Sequence, residues 1–181
     1  PTTGTAPVTF NWTASILTAP TAGTITGFSS DNTGTLNIIS QTLQNTGTSI
    51  GVVRYVVTPY VGLCPGTPVN VDITVNPLGQ VDAIPNLVVC PGDVTTIVGF
   101  TSSNTGNTTY TWTNDTPSIG LAASGSTNSI PSFTAINTTA SPIVATITVT
   151  PTFVDGSVSC LGTSTSFTIT VNPTPTIILS S

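Results

Sequence analysis

The side chains that could do chemistry in this 181-residue chain are few: three cysteines, six acidic residues and one basic residue. Every acid is an aspartate, and there is no histidine, glutamate or lysine. Acid–base and nucleophilic catalysis need a positioned base beside the reacting group. Two aspartates could in principle hydrolyse a glycoside, but these are not paired in the sequence, and most stand where turns favour aspartate. The composition predicts that the chain is not an enzyme. The aspartates are Asp31, Asp72, Asp82, Asp93, Asp115 and Asp155.

Metal chemistry has equally little support. Asp82 and Asp93 are weak candidates for calcium, which prefers oxygen ligands, but no Asp-x-Asp-x-Asp spacing occurs and turn roles are favoured. Three cysteines without histidine do not form a standard four-ligand zinc set. We therefore expect no metal site and no cofactor.

The charge balance excludes two classes of partner. The formal net charge is −5, and Arg54 is the only cationic side chain. Nucleic acids and anionic membranes attract proteins through basic patches, which this chain lacks. It contains neither an apolar run of transmembrane length nor a signal peptide. The opening "PTTGTAP", without methionine, predicts a piece of a longer protein.

The elements that must position these side chains are predicted to be strands. Threonine, valine and isoleucine are abundant and favour pleated strands, whereas strong helix formers are scarce. Apolar and polar residues alternate in 165–171 and again in 69–75, which is typical of half-buried strands. Arg54 lies in a further alternating segment, on its predicted solvent face. The chain is predicted to be all-β.

An internal repeat divides the chain. "TVNP" at 74–77 recurs at 170–173, and "VRYVVTP" at 53–59 aligns with "ATITVTP" at 145–151. "FNWTAS" aligns with "YTWTND", which makes Trp12 and Trp112 equivalent core residues rather than a sugar-stacking platform. We predict two tandem Ig-like β-sandwich domains, 1–77 and 78–181. Because Pro1 aligns near Thr101, the first domain is predicted to lack its N-terminal strands.

The three cysteines allow several interpretations. Cys90 ends an opening strand and Cys160 precedes the closing one, so one pole of a sandwich could join them in a disulfide. Cys64 aligns with Cys160, and its partner would then lie upstream of Pro1. Free buried thiols and a Cys64–Cys90 bond remain alternatives. The first interpretation is our prediction, and it implies an oxidising compartment.

The ordered motifs "VVCPGD", "YTWT", "ATITVTPT" and "CLGTSTSFTITVNPTPT" resemble the PKD-like repeats of giant Bacteroidetes surface proteins, best known in gliding-motility adhesins exported by type IX secretion. The resemblance covers nearly all of the second copy and the first from about Thr9. It implies a non-enzymatic structural or adhesive module on the bacterial cell surface, whose partners are neighbouring repeats. The stretch 15–50 departs from the pattern, so loops around 18–34 are where a special ligand surface would be sought.

Two other functions remain open at this point. The sandwich could present loops or a sheet face to a surface polysaccharide as a carbohydrate-binding module. Alternatively, the chain could be a subunit of a surface filament in which a neighbour supplies the missing first strand of copy one.

Overall fold

A computed structural model describes residues 7–175 of the chain. Contacts divide the chain into two compact units, unit 1 (Pro1–Pro77) and unit 2 (Leu78–Ser181). Both are built from β-strands, and the described residues contain one helical turn, the 3-10 helix Pro117–Ile119. The prediction of an all-β fold is confirmed. Within residues 7–175, no helix has the length and apolarity that crossing a bilayer would require.

The strands are numbered along the chain. Unit 1 contains β1 (Val8–Thr18), β2 (Ile25–Thr26), β3 (Gln44–Asn45), β4 (Gly51–Val61), β5 (Cys64–Pro65) and β6 (Val69–Val75). Unit 2 contains β7 (Leu87–Val89), β8 (Val98–Gly99), β9 (Asn107–Asn114), β10 (Ser124–Gly125), β11 (Ser129–Ile130), β12 (Ile143–Asp155), β13 (Val158–Leu161) and β14 (Thr165–Val171).

In unit 1 the long strand β4 is central. It pairs antiparallel with β1 on one side and with β6 on the other, and its end folds back onto β5. A separate short ladder joins β2 to β3. Alternation on β4 buries Val53 and Tyr55 and turns Val52, Arg54 and Val56 outward.

Unit 2 repeats this arrangement and extends it. Strand β12 lies between β9 and β14, and β13 folds back onto its end. The sheet continues beyond β9 to β10, and beyond β14 to β7, which runs parallel to β14. A second ladder joins β8 to β11. These paired layers are consistent with an Ig-like β-sandwich.

The two units share one register. Trp12 lies opposite Val57, and Trp112 lies opposite Val149, the residue aligned with Val57 by the sequence repeat. The agreement extends to the closing hairpins, where Cys64 lies opposite Val61 and Cys160 lies opposite Phe153. The equivalence of the copies therefore holds strand by strand.

Equivalent positions also occur in the stretch 15–50, where the two sequences match poorly. Gly27 and Gly120 both have positive φ, 89° and 99°, a region that favours glycine. At each, an added Cβ would collide with the carbonyl oxygen of an equivalent threonine, Thr42 or Thr134. A positive-φ glycine against an equivalent threonine carbonyl thus recurs in sequences that otherwise match poorly.

The cores of the units differ in size. Among residues 7–77, the buried core cluster of unit 1 consists of Trp12, Ile25, Val53 and Tyr55. The core of unit 2 adds residues from β7, β8, β11 and β14, so that both sheets contribute to it. Its buried members are Phe100, Tyr110, Trp112, Ile119, Leu121, Ile130, Ala135, Ala145, Ile147, Val149, Phe167, Ile169 and Val171.

Candidate functional site

The last strand of unit 2 is covered along its outer edge. Leu87–Val89 pair in parallel with Ile169–Val171. The ends of this pairing are fixed by two further hydrogen bonds: the Thr168 N–H donates to Asn86 Oδ1 at 2.9 Å, and the Asn172 N–H donates to the Val89 carbonyl at 3.0 Å. The edge of β14 at Ile169–Val171 therefore meets another strand and not solvent.

The chain after β7 then covers the inner face of the sheet. The Gly92 N–H donates to the Ala135 carbonyl and the Ala135 N–H to the Asp93 carbonyl, at 2.8 and 2.9 Å. Further along, β8 pairs with β11. Residues 87–100 thus bridge the edge of β14 and the opposite layer, and Phe167 and Ile169 beneath them are 3% and 0% exposed.

Unit 1 presents the equivalent strand, β6, without such a cover. One edge of β6 pairs with β4, and among residues 7–77 no strand pairs with its other edge. Val71 and Ile73, the equivalents of Phe167 and Ile169, are 41% and 39% exposed, and Val69 is 59% exposed. An apolar strand face and an open backbone edge therefore lie side by side. Such edges are normally short, charged or covered, because they pair readily with other chains.

An open apolar pocket of about 320 Å³ adjoins this strand. Gln41 stands on its wall, where its Oε1 accepts a 2.8 Å hydrogen bond from the Tyr55 hydroxyl and its Nε2 donates to the Ser29 carbonyl at 2.9 Å. Burial raises the pKa of Tyr55. We call the face of Val69, Val71 and Ile73, with this pocket and the open edge, the β6 surface. The pocket is lined by Ile39, Gln41, Leu43, Tyr55, Val71 and Ile73.

The opposite face of β6 is polar. Arg54 on β4 lies directly opposite Asp72, and its Nε and Nη2 donate to the two carboxylate oxygens at 2.7 Å each. These hydrogen bonds from the guanidinium lower the pKa of Asp72 and raise that of Arg54. Arg54 faces solvent, as its place in the alternation predicts. Its guanidinium forms an ion pair with Asp72 of the same unit.

The structure does not bring Cys90 and Cys160 together. Cys90 follows β7 at the end of β14 where Val171 pairs with Ile143, whereas Cys160 pairs with Phe153, ten residues further along β12. Ten strand residues span about 34 Å, and a disulfide needs Cα atoms within about 7 Å. The predicted Cys90–Cys160 bond is therefore wrong for this fold.

All three cysteines are free thiols. Cys64 occupies the hairpin position equivalent to Cys160. The same strand register would therefore place an upstream counterpart of Cys90 as far from Cys64 as Cys90 lies from Cys160, too far for a disulfide. Cys64 and Cys90 are both exposed, which does not match the alternative of buried thiols, and Cys160 is half-buried.

The two weak calcium candidates have separate roles. Asp82 Oδ2 accepts a hydrogen bond from the Thr101 hydroxyl at 2.7 Å. Asp93 closes the turn of "CPGD", since its Oδ2 accepts the Cys90 N–H at 2.9 Å and its own N–H donates to the Cys90 carbonyl. Within residues 7–175, no three acidic or cysteine side chains are grouped as metal ligands would be.

Three other aspartates are stabilised in their charged form. Asp115 Oδ1 accepts the Thr146 N–H at 2.7 Å and the Thr116 hydroxyl at 2.8 Å, and these bonds lower its pKa. The hydroxyl and N–H of Thr33 lower the pKa of Asp31 in the same way. With Asp72, these carboxylates favour the folded state when ionised.

We expect acid to destabilise the chain in a defined window. Because the folded-state pKa values of Asp31, Asp72 and Asp115 lie below the ordinary 3.8, their contribution is present above that value and is lost as pH falls below it. The melting temperature should stay nearly constant from about pH 7 to about pH 5 and then fall below about pH 4. Asp115→Asn should show a smaller acid loss. A main loss of stability between pH 7 and pH 5 would contradict this account.

Both tryptophans are buried, each 3% exposed, in the cores of their units. The Trp12 indole N–H donates to the Ser29 carbonyl at 3.1 Å. Gly125 lies against the Trp112 ring so closely that any Cβ there would collide with it. Neither ring is presented as a platform for a sugar.

A pair of buried asparagines escaped the sequence analysis. Asn45 Nδ2 donates to the carbonyls of Ser49 and Val75 at 2.9 and 2.8 Å. Asn137 makes the equivalent bonds to Ser141 and Val171 at the same distances. Each asparagine ties a loop to the end of the last strand. The shared pattern Asn-Thr-x-x-Ser at 45–49 and 137–141 could have revealed them.

Comparison with known proteins gives a family match that covers unit 1. Residues 2–79 match the family model of the PKD-like domain. Unit 1 is thus similar to a PKD-like, Ig-like repeat, and unit 2 has the same strand register. Among solved structures, the crystal structure of human mucin-like protocadherin EC1-2 matches with 14% identity and a TM-score of 0.31, covering 92% of this chain and 85% of that one. No curated protein matches the sequence.

Proposed function

We propose that the chain is a non-catalytic structural and adhesive segment of an extracellular repeat protein. The observation that carries the proposal is the recurrence of one strand register in two consecutive units, with equivalent tryptophans, turn glycines and loop-tying asparagines. Tandem units of this kind build stalks in which each module is a spacer or a contact surface. The match of residues 2–79 to the PKD-like domain supports the same class of protein.

We further propose that the parent protein is a gliding-motility adhesin of a Bacteroidetes cell surface, exported by type IX secretion. Its motifs "YTWT" and "TITVNP" and the nearly uncharged, threonine-rich strands support this assignment. In an extended surface protein, the partners of such a module are the neighbouring repeats of its own chain.

The proposal is tested by an in-frame deletion of the 181 residues from the parent gene in its host. We expect attachment and surface spreading to fall, while antibodies against the rest of the protein show unchanged display on the cell. Replacing the segment by two unrelated Ig-like domains of similar length separates the roles: rescue indicates a spacer, and failure to rescue indicates an adhesive surface. Unchanged attachment and spreading in the deletion strain would refute the proposal.

A further inference from the structure

We infer that the outer face of the unit 1 sheet, turned away from the buried Tyr55, binds one ring of a neutral saccharide. The site is a groove of about 140 Å³ between β1, β4 and the loop that follows β2. The inference rests on the adhesive part of the proposed function and names the chemical class of its partner. We call this site the outer groove. The side chains at its surface are Asn11, Thr13, Asn32, Val56, Thr58 and Tyr60.

The strand register brings the groove residues together. Asn11 lies directly opposite Thr58, and Thr13 lies opposite Val56. Residues that are opposite each other, or two apart along one strand, share a face of the sheet. Tyr60 is two residues beyond Thr58 and stands at one end of the patch. The groove is therefore a continuous surface of two neighbouring strands.

The loop that carries Asn32 is held against β1. The backbone of Asp31 exchanges two hydrogen bonds with that of Trp12, at 2.7 and 2.9 Å. The Ala14 N–H donates to Ser30 Oγ at 2.9 Å, and Asn11 Nδ2 donates to the Asn32 carbonyl at 3.2 Å. The wall of the groove is thus formed before a ligand arrives, which lowers the ordering cost of binding.

The groove offers hydrogen-bonding groups that the rest of the described chain does not use. Among residues 7–175, the side chains of Thr13, Asn32, Thr58 and Tyr60 make no hydrogen bond to protein. An amide or a hydroxyl can both donate and accept. Of the described residues that line the groove, none is charged. The nearby cation Arg54 is paired with Asp72.

Unit 2 shows how this face differs between the copies. The positions of Asn11, Val56, Thr58 and Tyr60 are taken in unit 2 by Thr111, Thr148, Thr150 and Thr152, which have the same pairing. There the hydroxyls of Thr148 and Thr150 form hydrogen bonds with those of Ser166 and Ser164, at 3.0 and 2.8 Å. Unit 1 therefore departs from a threonine face at positions that line its groove.

The same comparison shows that the strands preceding β9 do not cover this face in unit 2. Unit 2 contains β7 and β8, and Thr111 and Thr113 on its β9 are nevertheless exposed. Those strands cover the edge of β14 and the inner layer instead. The outer face thus stays open in a unit that has its opening strands.

These features favour a neutral, polyhydroxylated ring. A pyranose has hydroxyl groups around its edge, which suit the amides and hydroxyls of the groove, and C–H groups on its faces, which suit Tyr60 and Val56. A charged sugar would lack a partner charge, and burying an unpaired charge is costly. Pockets that enclose whole ligands measure about 300–1,000 Å³. The smaller outer groove therefore fits one ring of a longer glycan.

The experiment is an NMR titration of the nitrogen-15-labelled 181-residue chain. The probes are the methyl glycosides of glucose, galactose, mannose and N-acetylglucosamine, with methyl glucuronide as the charged comparison. We expect at least one neutral glycoside to shift the side-chain amide signals of Asn11 and Asn32 saturably, with a Kd on the order of 1 mM. The glucuronide should shift them less. No saturable shift with any neutral glycoside, or tighter binding of the glucuronide, would overturn the inference.

A double variant tests whether the groove residues carry the binding. Asn11→Thr with Tyr60→Thr introduces the residues that unit 2 has at these positions, so the strand pairing should be kept. We expect the Kd to rise about tenfold or more. The matched control is Ser15→Thr with Val52→Thr, which changes the same two strands and the same face outside the groove, and should bind like the parent chain. Unchanged affinity in the double variant would refute the assignment.

Asn32→Ala provides a test that does not depend on the strands. Because the Asn32 side chain makes no hydrogen bond within residues 7–175, its removal should leave the melting temperature unchanged while weakening binding. Full affinity in this variant would argue against a role for the loop wall. A failure of these binding tests would leave the proposed function standing, since that function is judged by attachment and spreading of the deletion strain.

Discussion

Replacing Ile169 by alanine is expected to destabilise unit 2 by about 2–5 kcal/mol, whereas the same replacement at Ile73 should cost unit 1 only about 1 kcal/mol. The two isoleucines are equivalent: Ile169 lies opposite Ala145 and Ile73 lies opposite Val53, in the same register. Their exposure differs, at 0% against 39%. Removing buried methyl groups leaves a cavity, while a truncated side chain beside solvent does not.

The comparison can be made within one chain because each unit contains a single tryptophan. Denaturant unfolding followed by fluorescence in a Trp12→Phe background reports on unit 2, and in a Trp112→Phe background on unit 1. Each alanine variant is compared with its own background at low protein concentration. Equal losses at the two positions would mean that β6 is covered in the isolated molecule, which contradicts the exposed face described above.

The parts of the fold that the sequence predicts are those that depend on short-range patterns. Two-residue alternation identifies β12 and β14, since one face of each strand is apolar. The repeat of Trp12 at Trp112, each followed by a threonine, indicates equivalent core strands without any knowledge of their neighbours. These inferences need only the periodicity of a strand and a second copy for comparison.

The disulfide prediction failed because it depended on the direction of one strand and on its position along the neighbouring strand. Had β7 run antiparallel to β14 and paired with its first residues, Cys90 would lie near the start of β14, close to Cys160. The parallel pairing of Leu87–Val89 with Ile169–Val171 places Cys90 at the other end. Three residues of apolar sequence do not encode direction, since parallel and antiparallel strands of this length read alike.

The β6 surface could be anticipated only in part. The alignment predicts that unit 1 lacks early strands, but the sequence of β6 alternates as that of β14 does, so the pattern alone predicts burial. Exposure depends on whether residues far away in the chain supply a cover, as 87–100 do in unit 2. The two-residue alternation of β6 carries no information on whether such a covering segment exists.

Asn137→Ala is expected to lower the free energy of unfolding of unit 2 by about 2–4 kcal/mol. The side chain is 5% exposed, and its amide donates to the carbonyls of Ser141 and Val171. Its Oδ1 also accepts the Thr139 N–H at 2.8 Å. Alanine would leave these groups without their partner, and loop 137–141 would no longer be tied to the end of β14.

The matched control is Asn107→Ala, since Asn107 also begins an Asn-Thr-Thr triplet but is exposed at the start of β9. We expect this change to stay within about 0.5 kcal/mol. Asn137→Asp is a sharper variant, because it keeps the acceptor for Thr139 while removing both donors and placing a carboxylate against two carbonyls. It should destabilise unit 2 at least as much as alanine at neutral pH and recover part of the loss in acid, where the protonated carboxyl can donate again. Full stability of Asn137→Asp at neutral pH would show that the amide does not hold the loop to β14.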